Sequence, residues 1–239
     1  MHFPTLLAPA PTDAPLYTGQ QPVSAVDAVP APWALTGEGW VVFFRLSAAD
    51  AARPGILRPE LRGTWQGGIG AVSFMRYRSS GVGPYDELLF IPGRVEIGGQ
   101  TAFSISQIYV TSEASVVNGR ANWGIPKDYA PMQIERRDTG EDVLRAGPED
   151  APFATLIARP GGPRLPLDSS RFPLSIAQLW DDQTFRISLT VKARVSWLDV
   201  VHWRADGIRF PSLVGHRPLA AVKLDDFDIT FPVASIEPA

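Results

Sequence analysis

The chain contains no cysteine, which excludes a disulfide framework, a thiolate zinc site and a cysteine nucleophile. Histidine is almost as scarce. His2, His202 and His216 are scattered, without HxH or HxxxH spacing, so no histidine-built metal site is expected. There is no GxSxG elbow, no GxxxxGKS or GxxxxGKT loop and no GxGxxG motif opening a helix. The signals of an α/β-hydrolase nucleophile, a phosphate-cradling loop and a dinucleotide fold are therefore missing. No run approaches the ~18 uninterrupted apolar residues of a membrane-spanning helix. The stretch from Met1 to Pro15 lacks Lys and Arg and is broken by prolines, a poor match to a signal peptide. A net charge of -3 gives no electrostatic footprint for nucleic acid or an anionic membrane. A cytoplasmic protein with no nucleic-acid or membrane partner is expected.

What is present is globular: 45% of the residues are hydrophobic and only 20% charged, which separates the chain from disordered sequences. Its 239 residues can bury most of their apolar surface without covalent staples. Residues 1–33, rich in Ala, Pro and Gln, lack periodicity and read as an irregular arm packed over the body or over another subunit. Residues 34–239 read as a single domain. Strand-length apolar runs occur at Trp40–Leu46, Gly70–Arg78 and Tyr85–Gly93, with a turn at "SSGVGP". Further strands are expected over Ala102–Ser112, in "MQIERRD" and in "FATLIARP".

The clearest alternation is Phe185–Leu198. Ile187, Leu189, Val191, Ala193, Val195 and Trp197 face one way, and Lys192 lies on the polar side, the pattern of a long half-buried antiparallel strand. "AADAARPGIL" predicts a short helix, and Ser112 with Glu113 predicts another that ends near Gly119 or Gly124. "IPKDYAPM" reads as a loop bounded by Pro126 and Pro131, and "GGPR" (Gly161–Arg164) as a hairpin turn. His202 reads as a packed strand residue and His216 as part of a turn. The fold class is mainly β, an α+β arrangement with an antiparallel sheet and a few short helices.

The 22 basic residues comprise 19 Arg and three Lys: Lys127, Lys192 and Lys223. Arginine serves for most surface charge, but only a primary amine forms a Schiff base. Lys192 reads as a solvated charge. Lys223, beside Asp225 and Asp226, reads as one half of a surface ion pair worth little. Lys127, in "GRANWGIPKDYA", reads as a loop lysine paired with Asp128 or as a pocket nucleophile.

The stretch Gly119, Arg120, Gly124, Ile125, Pro126, Lys127 resembles the core motif of the acetoacetate decarboxylase superfamily. Tyr85-Asp86-Glu87, about forty residues earlier, and the late "GIRF" and "DDFDITFP" stretches are similar to other parts of that family's pattern. The resemblance spans roughly Trp40 to Pro232. It implies an antiparallel β-cone or barrel-like fold around an apolar cavity. It also implies that Lys127 is a nucleophile forming an iminium with a small keto acid or ketone, with Glu87 beside it in the pocket and no cofactor. Trp123 and Tyr129 are expected to wall the pocket. Arg120 is expected there too, binding loop carbonyls and shaping the "IPK" turn. A homo-oligomer is expected.

Several positions depart from the family pattern. A second lysine usually follows the nucleophile, and Asp128 stands here. If that carboxylate faces the amine it raises the pKa and opposes attack; if it points away, burial alone must lower the pKa. The arginine for the substrate carboxylate falls on Gly37, beside Glu38. A further pocket glutamate falls near Val72, and the acidic residue after Gly-Arg is Ala121. These departures favour aldol-type cleavage or condensation, or dehydration, over acetoacetate decarboxylation, with Glu87 as acid or base. The alternative is a non-catalytic small-molecule-binding member of the superfamily.

Overall fold

The computed structural model describes residues 26–239; the part of the expected arm before residue 26 lies outside them. The chain enters the sheet at β1 (Trp33–Arg45). A short helix follows, α1 (Ala48–Ala51), opened by a reciprocal capping box between Ser47 and Asp50, and then a 3-10 turn at Pro59–Leu61. Next come β2 (Trp65–Gly67), β3 (Ile69–Ser79), β4 (Tyr85–Ile91), β5 (Arg94–Ile97), β6 (Gln100–Phe103) and β7 (Gln107–Val110). Helix α2 (Glu113–Trp123) leads into β8 (Lys127–Tyr129), β9 (Met132–Arg136), β10 (Asp142–Ala146) and β11 (Ala154–Asp168). The chain closes with β12 (Leu174–Trp180), β13 (Gln183–Ala205), β14 (Ala220–Phe231) and β15 (Ser235–Pro238).

Hydrogen bonding orders the main path β2-β5-β6-β12-β13-β14-β1-β3-β4-β7-β8, a curled half-barrel. The pairs are antiparallel except β6 with β12 and β7 with β8. Strands β9 and β10 extend from β11, which pairs with β13. The mainly antiparallel β class read from the sequence is the class observed.

The sheet is covered on both faces around its centre. Trp40, Val42 and Phe44 of β1 join Val72 and Phe74 of β3 in one core cluster. The alternate residues Val41 and Phe43 line a cavity on the other face. Burial on both faces is why this strand reads as a continuous apolar run rather than an alternating one. Phe74, Leu88 and Phe90 are fully buried, and each contributes about 1.5–3 kcal/mol by leaving water.

Several local expectations are corrected. Ala102–Ser112 is not one strand: it splits into β6 and β7 around the buried Ser104 and Ser106. The first half pairs with β5 and the second with β4. "IPKDYAPM" is not all loop, because Lys127–Tyr129 pairs in parallel with β7. "GGPR" lies inside β11, at a register break against β13 between Gly161 and Leu165. The alternation of β13 carries burial as expected up to Val195, but its pairing with β14 slips between Lys192 and Arg194. Beyond that slip Trp197 is 66% exposed while Ser196 is buried. Lys192 is exposed as expected, and His202 is on β13 but exposed rather than packed. Lys223 is no surface ion-pair residue: it is buried, pairs with Glu38 and holds its Nζ 3.2 Å from the centroid of the Trp40 ring.

The described end of the arm is tied to α2. Val29 N–H donates to Asn118 Oδ1 at 2.7 Å, Asn118 Nδ2 donates to Asp27 O at 3.1 Å, and Asn122 Nδ2 donates to Val29 O at 2.8 Å. These contacts fix the helix that carries Ser115, one of the groups at the candidate site.

Candidate active site

Helix α2 begins where the sequence predicts. Ser112 is its N-cap and accepts from Ser115 N–H at 3.2 Å, satisfying one of the free donors of the first turn. It ends at Gly124, whose φ of 60° lies in the left-handed region that glycine adopts without strain. Gly124 N–H then donates to Arg120 O, and Ile125 N–H to Gly119 O. The chain reverses through Ile125 and Pro126, and β8 lays Lys127 beside Ile108 of β7. Lys127 thereby packs back over the helix it has just left. A Cβ at Gly119 would lie 2.7 Å from Lys127 Cδ and 2.9 Å from Cε. The glycine that opens the motif is therefore the slot through which the lysine stem passes.

The Lys127 amine is 2.9 Å from Glu87 Oε2, 3.0 Å from Ser115 Oγ and 3.3 Å from the Tyr85 hydroxyl. Tyr77 donates to the other carboxylate oxygen, Glu87 Oε1, at 2.9 Å. Glu87 and Tyr85 alternate onto one face of β4, Tyr77 sits opposite Tyr85 on β3, and Ser115 comes from α2. All five side chains are buried. The structure brings the two expected residues, Lys127 and Glu87, together, and adds Tyr77, Tyr85 and Ser115. Tyr85 was legible as the first residue of Tyr-x-Glu, since two-residue spacing on a strand puts both side chains on one face. Ser115 carried only a helix-phase signal and Tyr77 none.

Burial is the largest influence on the Lys127 amine and favours the neutral form. The carboxylate of Glu87, with Tyr85, outweighs it, and the amine is held above its ordinary value. Burial raises both tyrosine hydroxyls, with Glu87 adding to the effect, so they remain donors. The resting state is a buried ammonium–carboxylate pair with every near partner hydrogen-bonded.

Asp128 does not take part. Successive strand residues face opposite sides, and Asp128 pairs with Arg120 at 2.7 Å. The Arg120 Nε donates to Lys127 O at 2.9 Å, so this arginine binds the loop carbonyl and shapes the turn. The amine therefore receives neither the second lysine of the family pattern nor a contact from Asp128, and Glu87 is the carboxylate that faces it.

Three expectations about the pocket wall are corrected. Trp123 is buried elsewhere, edge-on to Trp33 and donating to Pro232 O at 2.7 Å. Tyr129, the last residue of β8, is 41% exposed. Arg120 lies under the turn and not on the cavity wall. The wall is apolar instead and encloses about 950 Å³, with Val41, Phe43, Met75, Leu89, Ile108 and Val222 among its residues. Gly37 cannot stand in for a carboxylate-binding arginine: a Cβ there would meet Arg76 O at 2.0 Å. Glu38 is engaged by Lys223. Val72 faces the core cluster on the other side of the sheet, and Ala121 is exposed. Among the described residues no cluster of His, Asp and Glu is placed to hold a metal ion, and no helix is long and apolar enough to cross a membrane.

The profile of the acetoacetate decarboxylase (ADC) family matches residues 13–217. No curated protein matches the chain. Among solved structures, the chain is similar to an acetoacetate decarboxylase from Legionella pneumophila subsp. pneumophila str. Philadelphia 1, with a TM-score of 0.62 and 15% identity over 97% of this chain and 98% of that one. It is also similar to an acetoacetate decarboxylase-like enzyme from Sphingomonas wittichii RW1, with a TM-score of 0.63 and 13% identity over 93% and 98% of the two chains. A third similar structure is the enduracididine biosynthesis enzyme MppR complexed with pyruvate, with a TM-score of 0.56 and 17% identity over 87% and 90%.

Proposed function

Because the chain belongs to the acetoacetate decarboxylase family, we propose that it is a Schiff-base enzyme in which Lys127 attacks the carbonyl carbon of a ketone or keto acid. The observation that carries this reading is the buried Lys127–Glu87 pair, 2.9 Å apart, at an apolar cavity. An ordinary lysine is neutral in only about one molecule in 10³ at pH 7, and the field of Glu87 holds this one protonated more firmly still. Glu87 is also the base that removes the obstacle. Passing a proton from Nζ to Oε2 turns two charges into two neutral groups, a change that becomes easier as substrate displaces water from the cavity.

The neutral amine then forms a bond to the carbonyl carbon as the carbon–oxygen π bond breaks, and a proton passes from the attacking nitrogen to the oxygen, which becomes the hydroxyl of a carbinolamine. Glu87 returns its proton to that hydroxyl, water leaves, and the cationic iminium lies beside the regenerated carboxylate. The iminium accepts the electron pair of an adjacent carbon–carbon or carbon–hydrogen bond. Glu87 is placed to take a proton from the adjacent carbon, as an aldol-type or dehydration sequence needs. Tyr77 keeps one Glu87 oxygen occupied and leaves the other for the proton. The binding of pyruvate by MppR supports a carbonyl ligand of this kind. The same ion pair favours the second reading, a binding protein without turnover, if the proton never leaves Nζ.

Incubation with acetoacetate, pyruvate or acetopyruvate, followed by borohydride reduction and peptide mass mapping, tests the proposal. An adduct at Lys127 is expected. No adduct with any carbonyl compound removes the iminium reading, and binding without an adduct supports the second reading. We further read residues 34–239 as one domain of a cytoplasmic homo-oligomer to which the arm of residues 1–33 contributes. A chain lacking residues 1–25 should then elute as a smaller species than the full chain, and an unchanged oligomer counts against that role.

A further inference from the structure

The cavity is larger than a three- or four-carbon keto acid needs: about 950 Å³ falls in the range of about 300–1,000 Å³ that holds drug-sized ligands. Its long axis can be read from strand register. On β4, Glu87, Leu89 and Ile91 line it in turn, and on β3 their partners Met75, Ser73 and Ala71 line it alongside. From Glu87 to Ile91 is four strand residues, about 13 Å at ~3.3 Å per residue. Arg94 follows at the start of β5 and lines the same cavity. The Lys127–Glu87 end is buried and the Arg94 end is exposed.

Among the described residues only three charged side chains line this space: Glu87, Lys127 and Arg94. The first two satisfy each other. Among the described residues the Arg94 guanidinium has no ion-pair or hydrogen-bond partner. Around the same exposed end, Ile69, Leu165, Leu167 and Phe172 present apolar side chains that are 41–85% exposed while lining the cavity. The site thus has an amine at its closed end, an apolar barrel along its length and an unpartnered cation at its mouth. The position where the family pattern carries a carboxylate-binding arginine next to the reacting carbon is sealed at Gly37.

We propose that the substrate is an extended oxo acid, with its ketone or aldehyde at Lys127, an apolar chain along the β3–β4 wall and its carboxylate at Arg94. This rests on the Schiff-base reading for its chemistry, but not for its ligand class. A carboxylate next to the reacting carbon would meet apolar wall and Glu87. A carboxylate separated by a chain spanning the barrel meets a guanidinium, and the methylenes between replace water along apolar side chains.

The test is borohydride labelling of the full chain with two homologous series, 2-alkanones and straight-chain oxo acids with a methyl ketone at one end and a carboxylate at the other. Calorimetric titration runs in parallel without borohydride. The half-maximal labelling concentration should fall about fourfold per added methylene, the equivalent of about 0.8 kcal/mol per buried CH₂, until the barrel is filled. Oxo acids long enough to reach Arg94 should label at about tenfold lower concentration than the 2-alkanone of equal length. In Arg94→Met that ratio should fall to about one, while Arg94→Lys should retain part of it. Tighter labelling by acetoacetate or pyruvate than by any extended oxo acid overturns the inference, as does a ratio unchanged in Arg94→Met. Calorimetric binding that depends on chain length and on Arg94, with no adduct at Lys127, removes the Schiff-base reading and upholds the ligand class. Calorimetric binding that depends on neither overturns the ligand class.

Discussion

Lys127 and Lys223 are both buried, and each pairs with a glutamate. Burial is the largest influence on both amines, yet Lys127 is held above its ordinary value and Lys223 is lowered. The partners account for the difference. Glu87 is as buried as the amine it faces, and Tyr85 and Ser115 crowd the same point. The Glu38 side chain is 29% exposed, so water screens much of its field. The surroundings differ too. Lys127 opens onto a large cavity, whereas Lys223 lies against the Trp40 ring on the opposite face of the sheet. A shifted pKa alone would have pointed to Lys223 as the activated amine. Access to a cavity and a proton acceptor at contact distance point to Lys127.

The sharpest way to break this comparison is to remove each amine in turn. Lys127→Met should abolish the borohydride adduct and lower any turnover by at least about 10³-fold. Lys223→Met should keep the adduct. An adduct that survives in Lys127→Met and vanishes in Lys223→Met would invert the assignment. Glu87→Gln comes next. It removes the proton acceptor, at a cost of about 10²-fold in the rate of adduct formation. It also removes the charge that holds the amine protonated, so burial then lowers the Lys127 pKa. In the parent protein labelling should rise with pH through the neutral range, and in Glu87→Gln the midpoint should move to lower pH.

Gly119→Ala sharpens the geometric half of the comparison. The added methyl displaces the Lys127 stem, and slower labelling by about tenfold is expected from a misplaced nucleophile. Helix propensity favours Ala by about 1 kcal/mol, so denaturant unfolding should show little loss of stability. On the back of the turn, Arg120→Met removes a charge partner of the buried Asp128 and the donor to Lys127 O, and should cost about 1–3 kcal/mol in the same measurement.

The smallest effect is in the pH dependence of stability, where the two lysines have opposite signs. Between the lowered value of folded Lys223 and the ordinary 10.5, the unfolded chain keeps a proton that the folded chain has lost, so this group makes stability rise with pH. Above 10.5 the folded chain keeps the Lys127 proton that the unfolded chain loses, so stability falls until the folded value is passed. Urea titrations of Lys223→Met and Lys127→Met across alkaline pH should each flatten one of these slopes.

Much of the site was legible before the fold. Ser112 opens α2 as read, because capping chemistry is local, and of the two glycines read as its end it is Gly124 that closes it. Two-residue spacing put Tyr85 with Glu87, and the turn at Ile125 and Pro126 presented Lys127. The misreadings have a common cause. Trp123 and Tyr129 flank the lysine in sequence, but the helix end and the short β8 send them to other places. Trp197 follows the strand alternation on paper, but it lies beyond the register slip between Lys192 and Arg194 and faces outward.

The sequence by itself determined the mainly antiparallel β class and the start of α2 at Ser112, because propensity, capping and strand periodicity act over a few residues, and its family resemblance singled out Lys127 and Glu87. Only the tertiary structure decided which way Asp128 points, that Lys223 is buried against Trp40, and that Arg94 shares a cavity with Lys127. Each of these depends on pairing between strands separated in the chain: β1 with β14, β7 with β8, and, for the hairpin that carries Arg94, β6 with β12. Register over such distances is set by how the whole sheet closes, and no local pattern encodes it.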